Sequence, residues 1–222
     1  MRKAPMSVMA WIPMGLFLAG PASPWADPGP PLDGETFAQR VDLPEGRSDA
    51  VGSGVVVGFD HACRLLQGGA AECWGANDQG QLGDGSTELR TAPVEVAGGL
   101  SFTALSAGHK RTCGIADGRI YCWGMELARA PGAAAEAPVL EPREVSGGSG
   151  YASVSVGTQH GCALTDAGAA HCWGRNHSGE LGNGTNDPSV EPVAVSGGHS
   201  FTQISVGGDH TCALDEGGAA YC

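Results

Sequence analysis

Residues 162–174 read CALTDAGAAHCWG, and recognisable copies of this stretch recur three more times along the chain. The four copies begin at Cys63, Cys113, Cys162 and Cys212, at intervals of 50, 49 and 50 positions. In each copy a second cysteine follows after nine or ten positions, so the four pairs use all eight cysteines. Self-similarity at such a period indicates a repeat architecture.

Each copy is predicted to be a β-hairpin. In the second copy Asp117-Gly118 lies midway between the cysteines, and Asp-Gly favours a two-residue turn with positive φ at both positions. Counting back from this turn places Cys113 opposite Cys122. The other copies contain one residue more, which a three-residue loop with a left-handed glycine absorbs, as in 166–168 and 216–218.

The opposed cysteines are suited to four local disulfides. Directly opposed residues of antiparallel strands have Cα atoms about 4.5–5.5 Å apart, and a disulfide needs about 4.4–6.8 Å. Closing a loop of this size stabilises the fold by roughly 2.5–3 kcal/mol. We therefore expect a disulfide-dependent fold with the bridges Cys63–Cys73, Cys113–Cys122, Cys162–Cys172 and Cys212–Cys222.

Metal binding is the competing interpretation of these cysteines. A histidine precedes the first cysteine by two positions in three copies, as His61, His160 and His210. Histidine and thiolate are zinc ligands, but zinc sites usually take four ligands, and no fourth ligand is evident. The second copy has Arg111 instead of histidine. The pattern favours disulfides over metal, and structural strand histidines over catalytic bases.

The first 26 residues resemble a secretory signal. Arg2 and Lys3 precede an apolar run over residues 6–20, and small residues follow. The apolar run is too short for a comfortable membrane span. Export agrees with paired cysteines, because disulfides persist in oxidising compartments, so we expect a secreted protein in an extracellular or periplasmic location. Residues 27–50 are rich in proline and acidic residues and are interpreted as a linker.

The chain is acidic. Without residues 1–26 it carries 10 Lys and Arg against 24 Asp and Glu, a net charge of −14. Sequence-independent binding to nucleic acid or to an anionic membrane depends on basic clusters. We therefore expect neither a nucleic-acid partner nor a membrane span, and the pattern leaves the oligomeric state open.

Two further strands are predicted in the repeats. An apolar strand followed by glycine precedes each hairpin, at Val55–Val57, Phe102–Ala107, Tyr151–Val156 and Phe201–Val206. Three repeats also have a strand that starts near proline, at Pro93–Val96, Pro142–Val145 and Pro192–Val195. The order outer strand, apolar strand and hairpin gives an all-β unit of four antiparallel strands, and repetition of such a unit suggests propeller blades.

The first and third copies continue in the same way after the hairpin. Residues 74–85 read WGANDQGQLGDG and residues 173–184 read WGRNHSGELGNG. With the proline strand, the apolar strand and H-x-C-A-L that follow, this pattern resembles the regulator of chromosome condensation repeat, in the cysteine-bearing form of exported bacterial proteins. The resemblance covers residues 51–222, with hairpins at 63–75, 113–124, 162–174 and 212–222. It implies a β-propeller of four-stranded antiparallel blades, usually seven of them.

The chain departs from this pattern in two places. The second copy replaces the glycine-patterned loop with residues 125–140, and the fourth copy stops at Cys222, where Trp-Gly would follow. At about 50 residues a blade, we expect about four blades, as a partial propeller or a small ring, and a truncated chain.

Catalytic motifs are not evident in the sequence. It contains no G-x-S-x-G, P-loop, H-E-x-x-H or EF-hand pattern, so we expect no enzyme activity, no cofactor and no metal. Asn77, Asp78 and Asp84 suggest a calcium site, but the repeat loop explains them without one.

An exported binding or scaffold propeller is the leading hypothesis, with a protein partner held by blade loops. The loops that differ most between copies supply the candidate binding residues Met125, Glu126, Arg129, Arg175, His177 and Glu180. The family resemblance offers two alternatives, a guanine-nucleotide exchange factor-like regulator and a secreted enzyme inhibitor. The signal, the cysteine pairs and the acidic charge argue against the first.

Overall fold

The computed structural model describes residues 54–126 and 137–222, in which all regular structure is β-strand, as predicted. The strands are β1 (Val55–Val57), β2 (His61–Leu65), β3 (Ala71–Gly75), β4 (Arg90–Glu95), β5 (Phe102–Ala107), β6 (Arg111–Ala116), β7 (Arg119–Gly124), β8 (Val139–Glu144), β9 (Tyr151–Val156), β10 (His160–Thr165), β11 (Ala170–Gly174), β12 (Ser189–Ala194), β13 (Phe201–Val206), β14 (Thr211–Asp215) and β15 (Ala220–Tyr221). No helix in these two ranges is long and apolar enough to cross a membrane. The predicted signal, the predicted linker and Arg129 lie outside them.

The strands form four antiparallel sheets in which neighbours in the chain are neighbours in the sheet. Sheets 1, 2 and 3 contain four strands each, β1–β4, β5–β8 and β9–β12, and sheet 4 contains β13–β15. The first two strands of each sheet pack against the first strand of the next sheet. The expectation of about four blades is therefore confirmed, and the fourth has three strands among the described residues.

One boundary differs from the predicted order. The proline strand was expected to open each unit, but it closes the sheet of the hairpin before it: β4 pairs with β3, with Val94 opposite Cys73. The physical reason is that the second hairpin arm has a free edge, and an edge strand tolerates proline because no ladder hydrogen bond is needed on its outer side. The next sheet begins only after the Gly98–Gly99 turn, where φ is positive at both residues.

The hairpins have the predicted register. Cys63 lies opposite Cys73, Cys113 opposite Cys122 and Cys162 opposite Cys172. The two-residue turn has φ of 49° at Asp117 and 68° at Gly118, and the longer turn has φ of 79° at Gly168. All four expected disulfides are present, with Cα–Cα distances of 4.0 to 4.1 Å, and the described residues contain no free cysteine.

A row of glycines forms the seam where the sheets meet. It consists of the residue that follows the first strand of each sheet: Gly58, Gly108, Gly157 and Gly207. The N–H of Phe59 donates to Gly108 O at 3.2 Å, and the N–H of His109 donates to Gly157 O at 3.5 Å. A Cβ on Gly157 would lie 2.0 Å from Gly207 O. Only glycine allows the backbones of adjacent sheets to approach this closely.

Candidate functional site: the turn-loop rim

Strand direction divides the connections of each sheet between two rims. In a four-stranded antiparallel sheet, the first and third connections leave from the same end. The turn-loop rim therefore combines the turns 58–60, 108–110, 157–159 and 207–209 with the loops that begin at Ala76, Met125 and Arg175. The cystine-hairpin turns and the links between sheets lie at the opposite end, the hairpin rim.

Each loop begins against the turn of its own sheet. The N–H of Ala76 donates to Asp60 O at 2.9 Å, that of Met125 to Lys110 O at 2.8 Å and that of Arg175 to Gln159 O at 2.9 Å. The same hydrogen bond in three sheets joins the turn and the loop into one surface, although the cystine hairpin separates the two segments in the sequence.

A buried asparagine fixes the shape of the first and third loops. Asn77 accepts the N–H of Leu82 at 2.9 Å and donates to Ser86 O at 3.0 Å. Asn176 accepts the N–H of Leu181 at 2.9 Å and donates to Thr185 O at 2.8 Å. These bonds satisfy a buried amide and hold the loop closed, so the loops are rigid platforms for the side chains that they display.

The structure explains Asp84 without calcium. Its carboxylate accepts hydrogen bonds from the N–H of Ser86 at 3.0 Å and from Nε of Arg90 at 2.8 Å. Burial by itself would raise the pKa of Asp84, but the bonds from Ser86, Arg90 and Asn77 lower it overall. An adjacent guanidinium is the opposite of what a Ca²⁺ site provides, and the described residues hold no cluster of three or more metal-ligating groups.

Two of the histidines before the cysteines, His61 and His160, join one sheet to the next. Nε2 of His61 lies 2.9 Å from Oγ1 of Thr112, which donates to Gln81 O at 2.9 Å. Because this hydroxyl uses its proton on Gln81 O, Nε2 of His61 is the donor in the first bond. Burial lowers the pKa of His61, while nearby Asp60 opposes the shift. The side chain is therefore neutral in the folded protein at neutral pH and links the two sheets.

In the second sheet Arg111 occupies the position of this histidine. Arg111 is 2% exposed, and among the described residues its Nε and Nη2 have no hydrogen-bond partner. Burial lowers the pKa of Arg111 to about 9. The third copy correspondingly has Gly161 where the second and fourth have Thr112 and Thr211. The larger side chain of Arg111 in the second sheet is thus accompanied by the smaller residue Gly161 in the third sheet.

Polar and aromatic side chains of different kinds occupy the surface of the rim. Lys110 Nζ lies 2.6 Å from a carboxylate oxygen of Asp78 and holds the pKa of that carboxyl below its usual range. Phe59 is 76% exposed, and its ring centroid lies 4.9 Å from that of His109. At the other end of the row, Arg175 Nη1 lies 3.0 Å from Asp209.

The predicted binding residues that the structure describes all lie in loops of this rim. His177 is exposed, and Arg175 is partly exposed. Met125 and Glu126 are half-buried, and Glu126 is paired with Arg143. Glu180 is buried, and its carboxylate accepts the N–H of Ser178 at 2.7 Å inside the loop. Its side chain therefore shapes the loop.

The turns were missed by sequence reasoning, although they carry a readable signal. The first position after the seam glycine differs in every copy, and the second differs except that Asp occurs twice: Phe59-Asp60, His109-Lys110, Thr158-Gln159 and Gly208-Asp209. The positions on either side are constant, or nearly so, as glycine and as histidine or arginine. In an internal repeat, positions that vary between constant neighbours are positions at which the fold tolerates different side chains.

Known protein families share this repeat. Two family models, both described as the regulator of chromosome condensation (RCC1) repeat, match this chain, one at residues 73–115 and 167–214 and the other at residues 151–180. Residues 73–115 and 151–214 are therefore repeats of the regulator of chromosome condensation family. No curated protein sequence matches it.

Solved β-propeller structures share this fold. Human WBSCR16 is 20% identical, with a TM-score of 0.62 over 75% of this chain and 46% of its own length. Yeast RCC1 (Prp20), in a structure with Kap60, is 21% identical, with a TM-score of 0.63 over 76% of this chain and 42% of its own. Prp20p of Saccharomyces cerevisiae, described with its binding to Gsp1p and histones, is 22% identical, with a TM-score of 0.63 over 72% and 42%. This RCC1-repeat chain spans less than half of each.

Proposed function

We propose that this RCC1-repeat chain is an exported protein-binding module without enzyme activity, and that the turn-loop rim is its binding surface. One observation carries the proposal: the rim displays different side chains on a backbone that the repeats hold constant. Residues 59–60, 109–110, 158–159 and 208–209 vary between a seam glycine and a histidine or arginine. Recognition residues commonly lie in loops that a rigid scaffold positions.

The hairpin rim supports the choice by contrast. In three places the N–H that begins a new sheet donates to a glycine carbonyl of the previous hairpin turn: Phe102 to Gly69 at 2.7 Å, Tyr151 to Gly118 at 3.0 Å and Phe201 to Gly168 at 2.8 Å. The turns of the hairpin rim make the same backbone hydrogen bond in all three places, whereas the side chains of the turn-loop rim differ from sheet to sheet.

The chemistry of the rim favours a protein as the partner. An exposed phenyl ring beside a histidine, with the Lys110–Asp78 ion pair on the same rim and Arg175 at the other end of the row, offers an aromatic contact and charges of both signs. Aromatic residues and arginine are enriched where proteins bind each other. Prp20p, of the same fold, is described with protein partners, Gsp1p and histones.

Export is the second part of the proposal. Four disulfides and the signal-like residues 1–26 support an oxidising compartment. Fractionation of the native host, with a probe for residues 51–222, should find the protein outside the cytoplasm. Detection in the cytosol with eight free thiols would contradict this part and leave the binding proposal standing.

The binding proposal is tested by affinity capture with matched variants. The double variant Phe59→Ser with Lys110→Ser alters the turn-loop rim, and Asp166→Asn with Ser200→Ala alters the hairpin rim. A true partner should be captured by the wild type and the hairpin-rim variant, and at least about tenfold less by the rim variant, because truncated hot-spot side chains cost that much. Equal capture by all three proteins would contradict the assignment of the rim.

A further inference from the structure

Arg111 places a buried cation at the boundary between sheets 2 and 3. Side chains alternate between the two faces of a strand, so Arg111 shares its face of β6 with Cys113 and Ile115. These two residues pack in one buried cluster with Tyr151 of sheet 3. The neighbouring Thr112 faces the other way and bonds to sheet 1. The side chain of Arg111 therefore lies on the face of sheet 2 that is directed at sheet 3.

Two nitrogens of this guanidinium, Nε and Nη2, have no hydrogen-bond partner among the described residues. Arg111 is only 2% exposed, so solvent does not replace the partner. The two nitrogens form one edge of the planar group and donate in nearly the same direction. In sheet 1 the same two atoms of Arg64 both donate to Oε2 of Glu72, at 2.9 and 2.5 Å. A single negatively charged acceptor atom is thus sufficient for this edge.

The position that supplies an acceptor at the other boundaries is a glycine here. Between sheets 1 and 2, and again between sheets 3 and 4, a histidine meets a threonine hydroxyl of the next sheet. Opposite Arg111 the repeat equivalent of that threonine is Gly161. A Cβ on Gly161 would lie 2.9 Å from both Cζ2 of Trp173 and Cγ1 of Val156. The packing of sheet 3 therefore leaves no room for a threonine hydroxyl.

The charge of Arg111 also lacks a counter-charge among the described residues. Three carboxylates of the turn-loop rim are paired with other cations: Asp78 with Lys110, Glu126 with Arg143 and Asp209 with Arg175. With a pKa of about 9, the guanidinium of Arg111 is still charged at neutral pH. A buried ion without hydrogen bonds or a counter-charge is strongly unfavourable. These observations together indicate an anion at the Nε–Nη2 edge.

We propose that the Nε–Nη2 edge of Arg111 binds chloride at the boundary between sheets 2 and 3. The anion accepts both N–H groups, as one oxygen of Glu72 does on Arg64, and it neutralises the buried charge. A ligand of one atom suits a side chain that is closed to solvent, whereas a larger anion would have to displace packed groups. The bound ion takes the place of the histidine–threonine link of the other two boundaries, and it requires no partner protein.

Thermal unfolding at constant ionic strength tests the proposal. Chloride replaces gluconate, an anion too large for the site, so the screening of surface charges stays the same. Raising chloride from about 3 mM to about 300 mM should raise the melting temperature of the wild type by about 4–8 °C, for a dissociation constant of about 10 mM. The shift should saturate, because a single site fills.

Two variants of Arg111 localise the effect. Arg111→Met keeps the length of the side chain without its charge, and Arg111→His introduces the residue that the other three copies have at this position. Both should lose the chloride-dependent shift, which is measured within each protein and so does not depend on the stability of the variant. Arg119→Gln is the control, because it removes the same charge from a side chain that is 50% exposed. This variant should keep the full shift.

Crystals of the disulfide-bonded protein grown with bromide show where the halide binds. An anomalous peak is expected between Nε and Nη2 of Arg111. Three results would overturn the proposal. One is an equal chloride shift in the wild type and Arg111→Met, and another is a bromide peak at other positions only. The third is a larger shift with formate than with chloride, since the edge would then be a carboxylate site.

Discussion

His61 and Thr112 are 51 positions apart in the sequence, and Nε2 and Oγ1 of the two side chains lie 2.9 Å apart between two sheets. The same relationship recurs 99 positions later, where His160 and Thr211 are separated by 2.8 Å. In both places the threonine also donates to a loop carbonyl of the previous sheet, Gln81 O or Glu180 O. The polar link thus joins two sheets and a loop of the turn-loop rim.

Thr112→Val should destabilise the fold markedly. Valine has nearly the same shape, but it leaves the buried Nε2–H of His61 and the carbonyl of Gln81 without a partner. Unsatisfied buried groups cost about 1–3 kcal/mol each, so we expect a loss of about 2–3 kcal/mol in the free energy of unfolding. Urea denaturation measures the change. Thr202→Val at an exposed threonine is the control, and a similar small effect of both changes would contradict the role of the link.

Stability should fall between neutral and mildly acidic pH. Burial is the largest cause that lowers the pKa of His61 and of His160. The folded state therefore favours neutral histidine, so its contribution is complete above the unfolded pKa of about 6.5 and is lost as pH falls towards the lower folded pKa. Urea midpoints at pH 7.5 and 5.5 should show this loss.

The variant His61→Gln separates the histidine from other titrating groups. Its amide nitrogen still donates to Thr112, but it does not titrate, so the difference in stability between the two pH values should shrink. His177→Gln, at an exposed residue, is the control. An unchanged pH dependence in His61→Gln would show that the titration of His61 does not cause the loss.

Gly157→Ala should open the seam between sheets 3 and 4. The added Cβ would lie 2.0 Å from Gly207 O, a backbone atom that cannot rotate away. Overpacking of this kind costs about 1–3 kcal/mol or more. Gly208→Ala is a close control, because its Cβ would meet only Thr158 Oγ1, at 3.9 Å. Thermal unfolding compares the two variants, and equal melting temperatures would refute the steric argument.

The fourth disulfide should be reduced first. Cys63, Cys73, Cys113, Cys162 and Cys172 are fully buried, whereas Cys222 is exposed. A thiolate reductant needs access to a sulfur, so Cys212–Cys222 should open before the others in mild dithiothreitol. Alkylation followed by peptide mass spectrometry gives the order. Simultaneous reduction of all four bridges would indicate that global unfolding controls the reaction.

Local sequence rules predicted the hairpins because turn chemistry determines register over a few residues. Asp117-Gly118 sets the pairing of Cys113 with Cys122 whatever surrounds it. The placement of β4 could not be predicted from such rules. The proline segment could pair with the hairpin before it or with the apolar strand after it, and only the packing of the sheets decides between the two. The burial of Glu180 was equally hidden, because its partner is a backbone N–H in its own loop. The turns of the turn-loop rim, such as the one that contains Phe59, were not predicted as binding residues, because only the strand directions show that they lie on the same rim as the loops.

At the glycine seam, backbone groups hold adjacent sheets together, whereas the side chains at the same positions form part of the turn-loop rim. Phe59 and His109 follow the seam glycines, and they join adjacent sheets through their N–H groups, which every residue except proline possesses. The side chains at these positions are therefore free to diverge without loosening the join. A designer could randomise four neighbouring dipeptides on one face and obtain a combinatorial library of surfaces from a single unchanged scaffold.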